Sequence, residues 1–415
     1  MITARDDIWR SEEKVYEERK DMQGTQMGSD FPISTYMMQK AGRNGIPVNG
    51  TFELTSRCNF NCRMCYVHGQ TDMDRLKEKE LSARQWLNIA EEAREQGLLF
   101  LLLTGGEAML REDFISLYER LAVMGFRLVI NTNGSLFTRE IEECFHRLPP
   151  ARVNISLYGD SDETYRELCG VPAAGKVKET IHTLRRMGIS VRTTMMLTPW
   201  NCRDMEAVCA YGKQEQTMVS MSSYLFPPSR LDSGSLGRNK GRFSAGEAGA
   251  LLAKREQLLL EKDEFEKYAR HQLEICRRLE ETDGQWMKEG DGAEPDEDDG
   301  LGLPIRCQAG RGAFWITWDG KLRPCGLFTG PEEDVLSEGF TAAWAKIHAA
   351  ACEIRLPREC RYCSKRELCH VCAAMCQSET GHFDVRPEYV CRMTEGQMEE
   401  YRRLLGEKGE SVQDA

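Results

Sequence analysis

Between Thr51 and Phe226, short apolar runs alternate with helix-spaced segments about six times over. "TFELTSRC" reads as a first strand. "LSARQWLNIAEEAREQG" has helical spacing and stops at Gly97. "LLFLLLTGGE" is continuously apolar and ends in glycines, as a buried parallel strand does. Helix "REDFISLYERLAVMG", strand "FRLVINTNG", helix "TREIEECFHRL", strand "RVNISLYG", helix "KVKETIHTLRRMG" and strand "SVRTTMMLT" follow. A helix near 203–215 then leads to strand "MVSMSSYLF". Such alternation builds a parallel sheet with helices outside it. Six strands are fewer than a closed eight-stranded barrel needs. The expected fold class is therefore α/β, a partial (β/α)6 TIM-like barrel.

The first strand runs into "CNFNCRMCY", where Cys58, Cys62 and Cys65 are spaced C-x3-C-x2-C. Strand ends of this kind are where βα folds place their chemistry. Thiolates bind soft metals, zinc and iron–sulfur clusters above all. Three thiolates can ligate three irons of a 4Fe–4S cube and leave the fourth iron open. The plainer alternative is a zinc site or unrelated thiols.

The 17 cysteines do not suggest a disulfide framework. No N-terminal apolar segment resembles a signal peptide, and no run of about 18 apolar residues would span a membrane. The expected location is the cytoplasm, where thiols stay reduced. A net charge of −11 argues against nucleic-acid binding. Six cysteines cluster from Cys360 to Cys391, as metal ligands do. Cys144, Cys169, Cys202, Cys209, Cys276 and Cys352 are scattered and read as ordinary buried or neutral thiols.

The expected organisation has five parts. Residues 1–50 are an N-terminal extension with a helix near Asp6–Lys20. The core is 51–226, and 227–305 is a helical and acidic linker region. A cysteine-dense domain spans 306–395, and 396–415 is a tail.

"CNFNCRMCY" resembles the cluster motif of the radical S-adenosylmethionine (SAM) enzymes, including the aromatic Tyr66 after the last cysteine. The resemblance covers residues 51 to about 226. It implies a 4Fe–4S cluster on Cys58, Cys62 and Cys65, with SAM chelating the open iron. "TGGE" looks like the family's GGE motif: Gly105 and Gly106 would let backbone approach the ligand, and Glu107 would accept from the methionine ammonium. "NTNG" follows the third strand as in many relatives. Ser156 in "NISLYG" matches a position that contacts the SAM ribose or carboxylate, and Arg192 is a carboxylate partner by position. Sulfatase-maturing relatives carry an arginine about twelve residues after that serine; here Leu168 stands there, with Arg166 two residues early.

The C-terminal part is similar to a SPASM domain, which implies one or two auxiliary 4Fe–4S clusters. "CQAGRGAFWITWDGKLRPC" has the spacing C-x12-G-x4-C and reads as a β-hairpin with a turn at Asp319–Gly320. By analogy Cys360, Cys363, Cys369 and Cys391 hold an outer cluster. Cys307 and Cys325 hold an inner one, completed by Cys372, Cys376 or both. C-x2-C pairs are also a zinc signature.

The resemblance implies a radical oxidoreductase that modifies a ribosomally made peptide or protein, fed by an electron donor such as flavodoxin or ferredoxin. Gly326 stands where maturases carry an aspartate base, and no leader-binding pattern precedes the core. Dehydrogenation of a small molecule is the alternative, and a zinc-binding interaction protein is the alternative of another class. Candidates for a base or hydrogen donor are Tyr158, Tyr66, Cys169 and Cys202.

Overall fold

The computed structural model describes residues 31–67, 73–228, 233–281 and 302–407. Strands β1 (Asn49–Glu53), β2 (Phe100–Thr104), β3 (Arg127–Thr132), β4 (Arg152–Ser156), β5 (Val191–Met196) and β6 (Met218–Ser222) pair in chain order, every pair parallel. The expected partial barrel is present. Helix α1 (Phe31–Arg43) precedes β1, and α2 (Met73–Lys79) and α3 (Ala83–Glu95) join β1 to β2. Next come α4 (Phe114–Val123) and α5 (Arg139–Arg147), then α6 (Asp162–Cys169) and α7 (Ala174–Arg186) between β4 and β5, then α8 (Met205–Gln214).

Local chemistry explains these boundaries. Ser82 caps α3 in a capping box with Gln85, and Trp86, Ile89, Ala90 and Ala93 form its buried stripe. The chain then turns at Gly97, whose φ of +109° favours glycine. Along the strands, Leu101, Leu103, Ile130, Val153 and Ile155 are buried under the helices. The alternate residues Asn131, Arg152, Asn154, Ser156, Arg192 and Thr194 face the other way and are half-buried. The half-barrel thus has a dry outer core and a polar lumen. A closed barrel would fill that lumen with apolar side chains; an open one admits water and polar groups.

The hairpin is present as β7 (Ala313–Ile316) and β8 (Lys321–Arg323), with Gly320 at φ +87° in its turn. Its docking was not legible in the sequence. β7 pairs in parallel with β1, and β9 (Glu333–Asp334) extends the sheet to nine strands in the order β6-β5-β4-β3-β2-β1-β7-β8-β9. The otherwise open edge of β1 is thereby covered. Helices α11 (Val335–Glu338) and α12 (Phe340–Cys352) follow, and Phe314, Phe340 and Trp344 join the main core.

Within the expected linker region, the described residues form two helices, α9 (Ala245–Leu259) and α10 (Lys262–Glu281). After α13 (Ala373–Thr380), α14 (Glu388–Leu404) packs on α9 and crosses the expected boundary at 395/396. Glycines make this close: a Cβ on Gly249 would stand 2.0 Å from the Met393 carbonyl oxygen. The expected helix near Asp6–Lys20 and nearly all of the acidic stretch lie outside the described residues. Among the described residues, no helix is long and apolar enough to cross a membrane.

Candidate active site and metal centre

The cysteine loop leaves the C-terminal end of β1, and its root is clamped by buried charge. Arg57 Nε donates to Glu80 Oε1 at 2.7 Å, and Thr55 Oγ1 donates to the same oxygen. Arg111 Nη1 donates to the Leu54 and Leu81 carbonyls at 3.0 and 3.1 Å, and its other nitrogens pair with Asp113. Further along, Asn61 N–H donates to the Cys169 carbonyl at 3.0 Å and Arg63 N–H to the Leu168 carbonyl at 2.9 Å. The end of α6 thus carries the loop's middle, using carbonyls that a helix leaves free.

Cys58, Cys62 and Cys65 are half-buried thiols on this loop, and none is in a disulfide. Burial pushes the Cys58 thiol up to about 12. A hydrogen bond with Cys169, then burial, pushes Cys62 up as well. Thiols held this way ionise when a cation stands against them. Donors are in place for the sulfur: Phe60 N–H at 3.4 Å and Asn133 Nδ2 at 3.8 Å from Cys58 Sγ. Among the described residues, no three His, Cys, Asp or Glu side chains are gathered for a single ion. Thiols on separate irons of a cube stand further apart than ligands of one ion. A soft, three-thiol donor set with N–H bonds to sulfur fits a cluster with one iron open.

The "TGGE" residues pack closely against the root of the cysteine loop. Gly105 has φ +153°, and a Cβ there would stand 2.4 Å from the Thr55 carbonyl oxygen. A Cβ on Gly106 would stand 2.3 Å from the Arg57 carbonyl oxygen. The close approach they permit is that of the cysteine loop's own backbone, sealed by Gly106 N–H to Thr55 O at 2.8 Å and Glu107 N–H to Arg57 O at 2.9 Å. Glu107 is fully buried. Its carboxylate accepts from Met109 N–H at 3.0 Å, Asn133 N–H at 2.7 Å and the Thr132 hydroxyl at 2.9 Å. Three donors fill three of about four acceptor sites. Burial nevertheless raises its pKa, with the hydrogen bonds opposing. Glu107 therefore ties the end of β2 to the end of β3.

"NTNG" contributes more than a turn. Asn133 Nδ2 donates to Asn59 Oδ1 at 2.9 Å, and Asn59 Nδ2 donates to Ser135 Oγ at 2.9 Å, so the β3 loop holds the cysteine loop directly. Asn59 and Ser135 were not singled out from the sequence; their only signal is polarity at two strand ends.

Ser156 ends β4 half-buried and hydrogen-bonds the Tyr158 phenol. Burial, then Cys62, raises Tyr158 well above the ordinary phenol range, so near neutrality it stays protonated. A proton-accepting role is out of reach for it, and a hydrogen-donating one is not. Cys169 is fully buried beside Cys62, and Tyr66 is half-buried after Cys65. Cys202 opens the turn after β5. Arg192 sits low, as the second residue of β5 paired with Asn154, whereas Ser156 pairs with Thr194. Leu168 is core and Arg166 is exposed. Of the scattered thiols, Cys144, Cys209 and Cys276 are buried, but Cys352 is exposed.

The C-terminal thiols fall into neighbourhoods. Burial, then Cys369, Cys391 and Cys363, pushes Cys360 up to about 12. Cys372 is raised by burial with Cys307 nearby, and Cys325, Cys372 and Cys376 pack together around Ile305 and Phe328. Cys376 is fully buried and feels Cys360, Cys372 and Cys369, so it stands between the two groups. Gly326 lies under the Trp315 ring, where a Cβ would stand 2.4 Å from ring carbons. Trp315 in turn donates to Glu53 Oε2 at 2.7 Å. Trp315 thus adds a polar side-chain tie between the adjacent strands β7 and β1.

Residues 52–211 match the family model of the Radical SAM superfamily. The AdoMet-dependent heme synthase of Methanosarcina barkeri is 23% identical over 343 residues, covering 80% of this chain and 93% of the synthase. A probable GTP 3',8-cyclase of Sulfolobus acidocaldarius is 33% identical over 136 residues, which is 33% of this chain and 42% of the cyclase. Among solved structures, Streptococcus suis SuiB bound to precursor peptide SuiA is 14% identical with a TM-score of 0.57, covering 92% of this chain and 88% of that one. Native anSMEcpe with bound AdoMet and Cp18Cys peptide is 16% identical with a TM-score of 0.56, covering 86% of this chain and 98% of that one. At these identities the likeness is one of fold, and it runs through the C-terminal cysteine region.

Proposed function

From the match of residues 52–211 to the Radical SAM superfamily model, we propose that the chain is a radical SAM enzyme that modifies a ribosomally made peptide or protein by hydrogen abstraction. The observation that carries the proposal is the three-thiol loop, held at the strand edge by Asn133, Asn59 and the α6 carbonyls, inside the matched region. When bound there, a 4Fe–4S cluster with SAM on its open iron supplies one electron to the sulfonium and hence a 5′-deoxyadenosyl radical. Cys58, Cys62 and Cys65 would hold it. The protein's own part is positional. Glu107 and the glycines before it lock the β2 and β3 ends to the loop, which fixes where a radical is born. Tyr66 and Ser156 stand at the same edge as candidate SAM contacts. Cys360, Cys363, Cys369 and Cys391 would hold an outer auxiliary cluster. Cys307, Cys325, Cys372 and Cys376 would hold an inner one. With four thiols each and no open iron, they suit electron transfer rather than substrate ligation. A flavodoxin or ferredoxin would be the electron donor.

The peptide reading is supported by two structural neighbours whose crystals hold peptides and whose fold covers most of this chain. A small-molecule substrate is the second reading, favoured by the heme synthase relative aligned over 93% of its length.

The test is anaerobic reconstitution with dithionite and SAM. Wild type is expected to be brown, to bind more iron than one four-iron cluster accounts for, and to release 5′-deoxyadenosine. A Cys62→Ala variant should retain the auxiliary iron and release none. A colourless zinc protein, or equal release from the variant, refutes the proposal. A short peptide encoded beside this gene that changes mass on turnover would decide for the first substrate reading.

A further inference from the structure

Arg152 and Arg192 project into the lumen from adjacent strands. Val153 and Val191 lie under the helices, so the arginines beside them point the other way. Register places Arg192 opposite Asn154 and therefore diagonal to Arg152, within reach of a long side chain. Both are half-buried, and among the described residues neither is within ion-pair distance of a carboxylate. Arg152 Nε donates to Asn154 Oδ1 at 3.0 Å, and Asn154 Nδ2 donates to Asn131 Oδ1 at 2.7 Å. Arg192 Nε is buried with no hydrogen-bond partner. The lumen carboxylate Glu53 is on β1, three strands from Arg152 and four from Arg192, and accepts from Trp315.

Two guanidinium groups held together without an acid are costly. Burial, then the charge of Arg192, lowers the pKa of Arg152. Like charges on neighbouring strands destabilise a sheet, and a buried donor without an acceptor costs more. The planar guanidinium fork pairs bidentately with two oxygens of a carboxylate or phosphate.

We propose that Arg152 and Arg192, with Asn154 and Asn131 behind them, form an anion subsite in the lumen that receives a carboxylate or phosphate group of the substrate. A substrate so anchored would reach upward toward the strand edge where Ser156 and the cysteine loop stand. The proposal rests on that edge being the reaction site. It also reassigns Arg192, expected from the sequence to meet the SAM carboxylate. The carboxylate of SAM and an oxyanion of the substrate are the two sources of one chemistry, and the experiment separates them.

Calorimetric titrations of the reconstituted full-length protein with inorganic phosphate and, separately, with SAM would be run on wild type, Arg152→Gln, Arg192→Gln and Arg192→Lys. The expected result is saturable phosphate binding. It should be weakened about tenfold or more by either Gln substitution, in line with the loss of a charge-assisted hydrogen bond, and less by Lys. SAM affinity should stay within about twofold. Removing one of two like charges should also raise the unfolding midpoint of the phosphate-free protein, so misfolded variants are not expected. Phosphate binding that is absent, or unchanged in both Gln variants, overturns the proposal. So does a tenfold loss of SAM affinity in Arg192→Gln with phosphate binding intact, which would return Arg192 to the cosubstrate. None of these titrations needs turnover, so failure here is distinct from failure of radical chemistry, read by 5′-deoxyadenosine.

Discussion

At the scale of single residues, motif positions were legible and their partners were not. "TGGE" stands out in the sequence because glycines follow an apolar run. The structure shows that Gly105 and Gly106 make room for the Thr55–Arg57 backbone, and that Glu107 is satisfied by Thr132, Met109 and Asn133. A sequence does not say which backbone a strand-end glycine will meet, because the meeting is between segments about fifty residues apart. Glu107 gives a prediction. In Glu107→Gln the amide nitrogen must face an N–H donor, either Met109 or Asn133, so stability should fall by about 1–3 kcal/mol. The pH dependence has a definite sign. Burial raises the folded-state pKa of Glu107. Its contribution is therefore fully present below the unfolded value of about 4.3 and is lost as pH rises through the raised value. Gln does not titrate. The advantage of wild type over Glu107→Gln should shrink as pH rises across that window, which urea unfolding at several pH values would measure.

At the scale of elements, periodicity located the six parallel strands of the half-barrel and the hairpin turn. It did not foresee that α14 would lie on α9. Both helices show ordinary surface patterns, and the contact is carried by glycines, which have no pattern. A Cβ on Gly396 would stand 2.6 Å from the Gly246 carbonyl oxygen, whereas a Cβ on Gly246 meets nothing within 4 Å. Gly249→Val should therefore cost about 1–3 kcal/mol through overpacking. Gly246→Ala should be neutral or stabilise by up to about 1 kcal/mol through helix propensity. Thermal unfolding of the two variants checks the contrast. Because Cys391 rides on α14, Gly249→Val should also lower iron per chain while Gly246→Ala leaves it unchanged.

At the scale of the whole molecule, the cysteine-rich region is part of the core's construction. β7 covers the edge of β1, Phe314 and Trp344 enter the main core, and α14 covers α9. A chain ending after Glu281 would expose the backbone edge of β1 and an apolar helix face. It should aggregate or lose near-ultraviolet circular dichroism, as size-exclusion chromatography and spectroscopy would show; a monodisperse, cooperatively unfolding fragment would contradict this. By itself the sequence determined the class of fold, the six strands of the half-barrel and the position of three thiols at a strand end, because period, length and turn chemistry are local. The tertiary structure decided what those residues touch. It put Glu107 to structural use, set Arg152 beside Arg192 in the lumen, and attached the hairpin to β1. Those outcomes depend on register and on contacts between distant segments, and no local pattern encodes them.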